Sequence, residues 1–549
     1  MPPTMMHGIE GINFDHDGRL LGTSIHGLSV YRIDVRTGRV AVAVGAPDGE
    51  SDDVAVGPRG TPVEGVLAWT AQSSGEIRFQ RPGSRPEVAL RDVPRVNPIA
   101  FSAEGLLYTA QVGAGDDTLW ELDLTGQRAP RRVLSGQGRL NGFAFGPDGR
   151  LYAPQFGTDR LVAIDVARGT QLTIASGTGA PASLRVAPNG DLWHVDYLTG
   201  DVWTTPAQGA PAAGVPLVHG QPRIVTRVRE PIDSIAIDRD GTLYVSNVAD
   251  SSVVAIDPTS GQSRYVVPAS FAMPLGLAFA PLDGVPTLLA ADPFGWRWVD
   301  PRSGRIMRPH WAANRWASSA VAADERFIAY GFEGSGRVRV LDRATDAVVL
   351  DAKDLGAPRG LLLEPSGAVL VVDAAGGRLL RVSSAGTEVL ASGLDEPVAL
   401  AYEAAGQGGA SGAGAGPGAG RDRSASRGTV LVAEARAGRV TRVALDDGAR
   451  TLVAGGLRRP TALAALADGR IVVAEPDSGE LLAIEPRSSA RTLLASGLAL
   501  SLEGLDLPRN TNGGVAVGPD GAIYVSCPGD NSIVRITPRG PRPRGGTSP

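Results

Sequence analysis

The chain has 549 residues, of which 43 % are hydrophobic and 20 % charged, with 72 glycines, 41 prolines and a formal net charge of −5. That length exceeds one compact core and points to roughly two to four domains, and a mildly acidic charge spread along the whole chain offers nucleic acid no basic face. A single cysteine, Cys527, excludes internal disulfides and any cysteine-ligated metal cluster, so stability has to come from packed strands.

Residues 1–8, MPPTMMHG, carry neither a basic n-region nor an apolar h-region, and no apolar run approaches the ~20 residues that span a bilayer. The expectation is a cytoplasmic protein, exported only if a leader precedes the given start. Lys353 is the one lysine among 53 basic residues, a bias that, with the alanine and glycine excess, suggests a high-GC bacterial genome.

From residue 10 onward a short phrase returns twelve times, at intervals of roughly forty to fifty residues: an alternating apolar strand, a turn closed by glycine, and a second apolar strand. It reads EGINFDHDGRLL from Glu10 in the first copy and NGFAFGPDGRLY from Asn141 in the fourth. Ile12 and Phe14, Ile99 and Phe101, and Ile235 and Ile237 show the period of two that marks a strand. Asp-Gly at 17–18, 148–149, 240–241, 468–469 and 520–521, and Asn-Gly at 189–190, supply the positive φ of tight hairpins. A second turn recurs after the third strand, as at 33–38, 256–261 and 299–304, so each unit is a small antiparallel meander.

The innermost strands are expected near residues 10, 52, 97, 141, 182, 233, 275, 318, 359, 398, 461 and 513. Twelve repeats exceed the usual limit of roughly four to eight blades for one ring. The fold class is therefore all-β: two tandem six-bladed β-propellers built from twelve four-stranded repeats, over residues 1–268 and 274–539, with five plus seven as the competing split. Residues 404–428, nearly all Gly, Ala, Ser and Arg, read as a disordered loop interrupting the tenth repeat, and 540–549 as a disordered tail.

In a propeller the first residues of the innermost strands converge on the axis, so one position per blade builds one site. Counting back eight residues from each turn glycine gives Glu10, Asp52, Asn97, Asn141, Ala182 and Asp233 in the first half. Five of these six carry side-chain oxygens and three are carboxylates. The same position in the second half reads Leu275, Ser318, Arg359, Val398, Thr461 and Gly513, with no acidic cluster. Carboxylates crowded on an axis repel unless protonated or neutralised, and a hard divalent ion suits oxygen donors, calcium ahead of the more demanding magnesium.

The Glu10-Gly11 pair, and Asn141-Gly142 followed by Pro147-Asp148-Gly149, resemble motifs of the senescence-marker-protein/gluconolactonase/luciferin-regenerating enzyme family, whose members are six-bladed propellers that hold an axial divalent cation and hydrolyse lactones and related esters. The resemblance covers the first half best, while the second is more similar to NHL-type repeats. It implies a Ca2+ site with Glu10, Asn141 and Asp233 as ligands, Asp233 as general base, and Asn97 toward the substrate. The family's metal-binding aspartate normally belongs to the fifth blade, where this chain has Ala182; Asp233 falls in the sixth repeat, and Asp52 is an additional acid, placed with Asn97 as a substrate contact.

Residues after the second strand form an expected rim: His26, Gln72, Gln111, Gln155, His194 with Asp196, and Asn247, of which His26 and His194 are the candidate substrate contacts. There is no Gly-x-Ser-x-Gly elbow, His-Glu-x-x-His pair or phosphate loop to support another chemistry. The implied activity is hydrolysis of a small-molecule lactone or ester. The alternatives are a non-catalytic NHL-like binding scaffold and a metal-dependent propeller lyase, with the second ring left to a structural role or a protein partner.

Overall fold

Alternating apolar residues separated by short glycine-closed turns bury their side chains by stacking meanders face to face, and a closed circle of such sheets leaves no open end. The computed structural model describes residues 4–113, 117–212, 214–311, 318–403, 428–502 and 513–537. They form twelve antiparallel sheets, each a meander of consecutive strands; eleven are four-stranded and the last has three described strands. The only helix among the described residues is the 3-10 turn Glu333–Ser335, and no helix is long and apolar enough to cross a membrane. Of the expected loop at 404–428 all but Gly428 lies outside the described residues, as does the tail at 540–549.

The chain divides into two compact units, Met5–Ala272 and Met273–Pro549, the latter joined by Thr4, whose amide donates to the Asp530 carbonyl (3.0 Å). Blades are numbered here one to twelve in chain order. The inner strands of the first unit are Ile12–Phe14, Val54–Val56, Val96–Phe101, Ala144–Phe145, Pro181–Val186 and Ile232–Ile237, and the first lies beside the last. In the second unit Leu277–Leu282 lies beside Val515–Val517 in the same way. Each ring therefore closes on six blades, which excludes five plus seven.

Between the blades of the first ring sits one apolar residue per inner strand: Ile12, Val54, Ile99, Phe143, Leu184 and Ile235, none more than 2 % exposed. Burying each contributes about 1.5–3 kcal/mol relative to exposure. The junction of last and first blades is packed by Met6, Ile9, Ile12 and Leu20 against Tyr244 and Val253. Cys527 belongs to the core between blades 11 and 12, where burial pushes its thiol up to about 12, so it packs as an inert apolar residue.

Adjacent blades of the first ring approach closely at Gly11 and Gly142. A Cβ on Gly11 would lie 2.6 Å from the Asp52 carbonyl oxygen, and one on Gly142 would lie 2.5 Å from Ser183 Oγ. Gly11→Ala is accordingly expected to cost about 3 kcal/mol, the upper end of the overpacking range, because a backbone carbonyl cannot step aside. Gly45→Ala, whose new methyl meets only a Val42 methyl at 3.4 Å, is expected to be neutral or slightly stabilising. Denaturant unfolding of the two variants checks this, and equal effects would refute the close approach at Gly11.

Candidate functional site

The inner strands do not start as regular ladders. Pairing with the second strand skips a residue at Ala182 and again at Asp233, and it is irregular around Asn97. A bulge of this kind re-aims the side chain at the start of a strand. Glu10 and Asp52 are buried, at 5 % and 4 % exposure, while Asn97, Asn141 and Asp233 are half-buried.

The carboxylates from blades 6, 1 and 2 act on one another. Burial lifts the Glu10 carboxyl well above the ordinary carboxylate range, and the charges of Asp52 and Asp233 lift it further, against the Ile25 amide that donates to its Oε2 (3.2 Å). Asp52 is lifted by burial and by the charges of Asp233, Asp53 and Glu50, while the Gln72 amide donates to it and opposes the rise. Asn97 Nδ2 also donates to Asp52 Oδ2 (3.1 Å), and His26 Nδ1 lies 3.5 Å from Glu10 Oε1. Glu10, Asp52, Asp233, Asn97, Gln72 and His26 thus form one polar group. Asn141 stands apart in its contacts, its Oδ1 accepting from the Gly142 amide (3.0 Å).

An oxygen-rich acidic set of this kind suits a hard cation by its chemistry. Among the described residues, however, no three His, Cys, Asp or Glu side chains stand in a ready-made metal arrangement. The oxygens of Glu10 and Asp52 are engaged with Ile25, Gln72 and Asn97, so holding an ion requires those side chains to turn.

Much of the expected rim is structural. Gln111 donates to the Pro94 carbonyl (3.1 Å), Gln155 to Gln137 (2.6 Å) and Asn247 to Arg229 (3.0 Å). Asp196 accepts from the amides of Ala180 (3.1 Å) and Leu198 (2.8 Å). Each of these residues ties the end of a second strand to the segment leading into its own blade. Only Gln72 and His26 turn toward the carboxylates.

His194 is a correction to the expected substrate contacts. It pairs across the sheet with the core residue Leu184, shares that face, and is fully buried against Trp203, with ring centroids 5.7 Å apart. Burial takes its pKa down to about 3 and neither ring nitrogen has a hydrogen-bond partner, so it is a neutral wall residue.

Sequence reasoning missed the polar channel beneath the mouth. One position after the ring stand Asp53, Ser183 and Ser234, and three positions after it stand Asn13 and Arg185. Asp53 accepts from the amides of Val54 (2.8 Å) and Ile99 (3.3 Å); burial pushes it up to about 6, with Arg185 opposing. The Arg185 guanidinium spans to blade 1, donating to the Ile12 carbonyl (3.0 Å) and to its neighbour Leu184 (2.9 Å). The signal was the contrast with the second ring, whose corresponding first position reads Gly276, Ala320, Gly360, Ala399, Ala462 and Gly514.

At the second mouth the residue in the ring position of blade 8 is Ser319 rather than Ser318, because the bulge lies between Ser318 and Ala320. Arg359 is held there by Glu333 (2.9 Å) and Glu396 (3.0 Å).

No protein-family model matches the chain, and no curated protein matches it. Among solved structures it is similar to a chain described as "Streptogramin B lyase structure", at 15 % identity over 53 % of this chain and 92 % of that one, with a TM-score of 0.38. It is also similar to a chain of "Crystal structure of Nidogen/Laminin Complex", at 20 % identity over 36 % and 75 % of the two chains, with a TM-score of 0.33.

The buried acids set a pH dependence. Asp53 rises from 3.8 to about 6 on folding, and Glu10 and Asp52 rise as well, so these three groups bind more protons in the folded first unit than in the unfolded chain, whereas His194 and His219, both lowered by burial, bind fewer. The contribution of the three acids is complete below the ordinary carboxylate pKa and is lost as pH climbs through about 6 and beyond. Asp351, Asp373 and Glu434 of the second unit are shifted downward, and their contribution is lost only in acid. In calorimetry of the full chain without divalent ions, the parent's first transition should fall relative to that of Asp53→Asn as pH rises from 5 to 8, while the second unit's holds in both; a parent transition that rises relative to the variant's over this interval would overturn the assignment.

Proposed function

We propose that the first propeller is a divalent-cation-dependent hydrolase of a lactone or related ester, acting at its acidic mouth in the manner of the gluconolactonase-like propellers it resembles in sequence. The observation that supports this most is the mutual action of three carboxylates, Glu10, Asp52 and Asp233, on adjacent blades. Burying like charges together is costly unless a proton or a cation offsets them, and the second ring, built on the same repeat, keeps no such group.

Glu10 and Asp233, with the Asn141 amide oxygen, are the residues that would hold the ion, most favourably Ca2+. When bound, a divalent cation polarises the ester carbonyl and makes a bound water more acidic. Asp233 takes the proton of the attacking water. Asn97 and Asp52 hold the substrate, and Asp52, with its raised proton affinity, can return a proton to the departing alkoxide as the acyl C–O bond breaks. His26 steadies Glu10 from the opposite side.

The test is the metal content of purified protein after dialysis against trace calcium, beside Glu10→Gln and Asp233→Asn, followed by a lactone and ester panel. Near-stoichiometric metal in the parent and its loss in both variants are expected, with hydrolysis falling by at least about 10²-fold, the lower end for a general acid or base. The product mass should show one added water, whereas elimination would add none. A parent without metal and without hydrolysis overturns the reading.

A further inference from the structure

The channel of the second propeller contains a cavity of about 80 Å3 lined by Ser319, Arg359 and Thr461 together with Gly276, Gly360 and Gly514. The glycines are explained by the fold: a Cβ on Gly514 would lie 2.7 Å from the Leu277 amide nitrogen, and one on Gly360 would lie 2.8 Å from a Leu400 methyl. The hydroxyls are not explained by the fold. Ser319 is 3 % exposed and Thr461 is 7 % exposed, and neither oxygen has a hydrogen-bond partner. Buried polar groups are normally paired, and alanine or valine would serve a purely structural wall, as Val398 does in blade 10.

Arg359 is fixed across three blades. Its Nε donates to Glu333 Oε1 (2.9 Å) and its Nη1 to Glu396 Oε1 (3.0 Å), with Nη2 also 2.9 Å from Glu333. A guanidinium has five N–H groups, so these contacts leave donors unspent. The charges nearby are Glu333, Glu396 and Asp395 against Arg359 and Arg436, which lies 3.6 Å from Asp395. An anion therefore meets no net positive charge. A cation would have to displace the guanidinium from both glutamates.

We infer that the mouth of the second propeller binds a small neutral polyhydroxylated molecule, a polyol or one edge of a sugar. The Ser319 and Thr461 hydroxyls each donate and accept toward it, and Arg359 donates to a further oxygen. A water occupies about 30 Å3 of liquid, so the enclosed part of the site takes a fragment of a few heavy atoms, with the remainder of the ligand at the open end. This site is independent of the acidic mouth of the first ring.

Saturation-transfer NMR and calorimetric titration of the full chain with glycerol, myo-inositol and D-glucose test it, with gluconate as the charged comparator. At least one neutral probe is expected to bind with a millimolar or lower dissociation constant, and more tightly than gluconate. Thr461→Val together with Ser319→Ala should weaken that binding at least tenfold. Thr461→Val alone removes an unpaired hydroxyl, so it should fold as well as the parent by circular dichroism and still show weaker binding. Glu10→Gln should leave the binding unchanged. Absence of binding by every neutral probe, tighter binding of gluconate, binding that survives both substitutions, or binding lost in Glu10→Gln would each overturn the proposal.

Discussion

Closing a circle of separate sheets is the constraint on which the rest of the structure depends. Among the described residues every sheet is made of consecutive strands, and none is exchanged between the last blade and the first. The described junctions rest on side-chain packing and a few hydrogen bonds: the Ile12 amide donates to Ser234 Oγ (3.2 Å) in the first ring, and the Gly514 amide donates to the Leu275 carbonyl (3.2 Å) in the second. Ser246, on the second strand of blade 6, donates from Oγ to the Glu10 carbonyl of blade 1 (2.5 Å), and Ser526, on the second strand of blade 12, donates in the same way to the Leu275 carbonyl of blade 7. Within the first ring Thr23 Oγ1 reaches the Asp52 carbonyl of the next blade, and Thr70 Oγ1 reaches that of Asn97 (2.6 Å). These hydroxyls add to the sparse backbone bonds between blades, such as that from the Gly11 amide to the Asp52 carbonyl (2.8 Å), in satisfying inner-strand carbonyls.

Buried acids behave oppositely according to the partners they meet. In the second unit the acid ending a second strand is buried but well served: Asp373 accepts from the amides of Ala357 (2.9 Å) and Gly376 (3.0 Å) and is paired with Arg378, and Glu434 accepts from the Asp395 amide (2.7 Å) and is paired with Arg439. Hydrogen bonds to a charged group contribute about 1.5–3 kcal/mol each, enough to outweigh burial and pull these carboxyls down. In the first unit Glu10 and Asp52 face other carboxylates, and burial wins. Stability in one unit and stored electrostatic repulsion in the other are built on the same meander, and the repulsion is confined to one mouth. Perturbed groups of this kind concentrate where chemistry is done.

The strands, hairpins and number of rings were legible because the period of two and the turn glycines are local signals repeated twelve times. The ring of first residues was legible for a geometric reason: the hairpin has the same length in these copies, Phe14 pairing with Leu20 and Ile237 with Leu243, so counting back from Gly18 or Gly241 lands on Glu10 or Asp233. Where the turn is shorter the count slips, as in blade 8, where Ala323 pairs with Ile328 and the ring position belongs to Ser319 rather than Ser318. His194 was misread for another reason. Alternation puts His194 and Asp196 on one face, but the choice between core and channel is made by the partner strand, and opposite His194 stands Leu184. Asp53 and Arg185 escaped because only the first residue of each strand was counted, although the next inward-facing positions carry as much contrast between the halves.

Closure and chemistry are separable at the level of atoms. Glu10 and Leu275 occupy the same place in their rings, and each offers its backbone carbonyl to the closing serine. The carbonyl is common to all residues, so the ring does not constrain which side chain points into the mouth. Glu10 uses that freedom for a buried carboxylate and Leu275 for an apolar wall, while the +1 positions of the two channels have diverged from Asp53, Ser183 and Ser234 to glycine and alanine. A scaffold held by main-chain acceptors and small hydroxyls can therefore carry two mouths of unrelated character in one chain, and the cost of burying like charges in one need not be met by the closure of either.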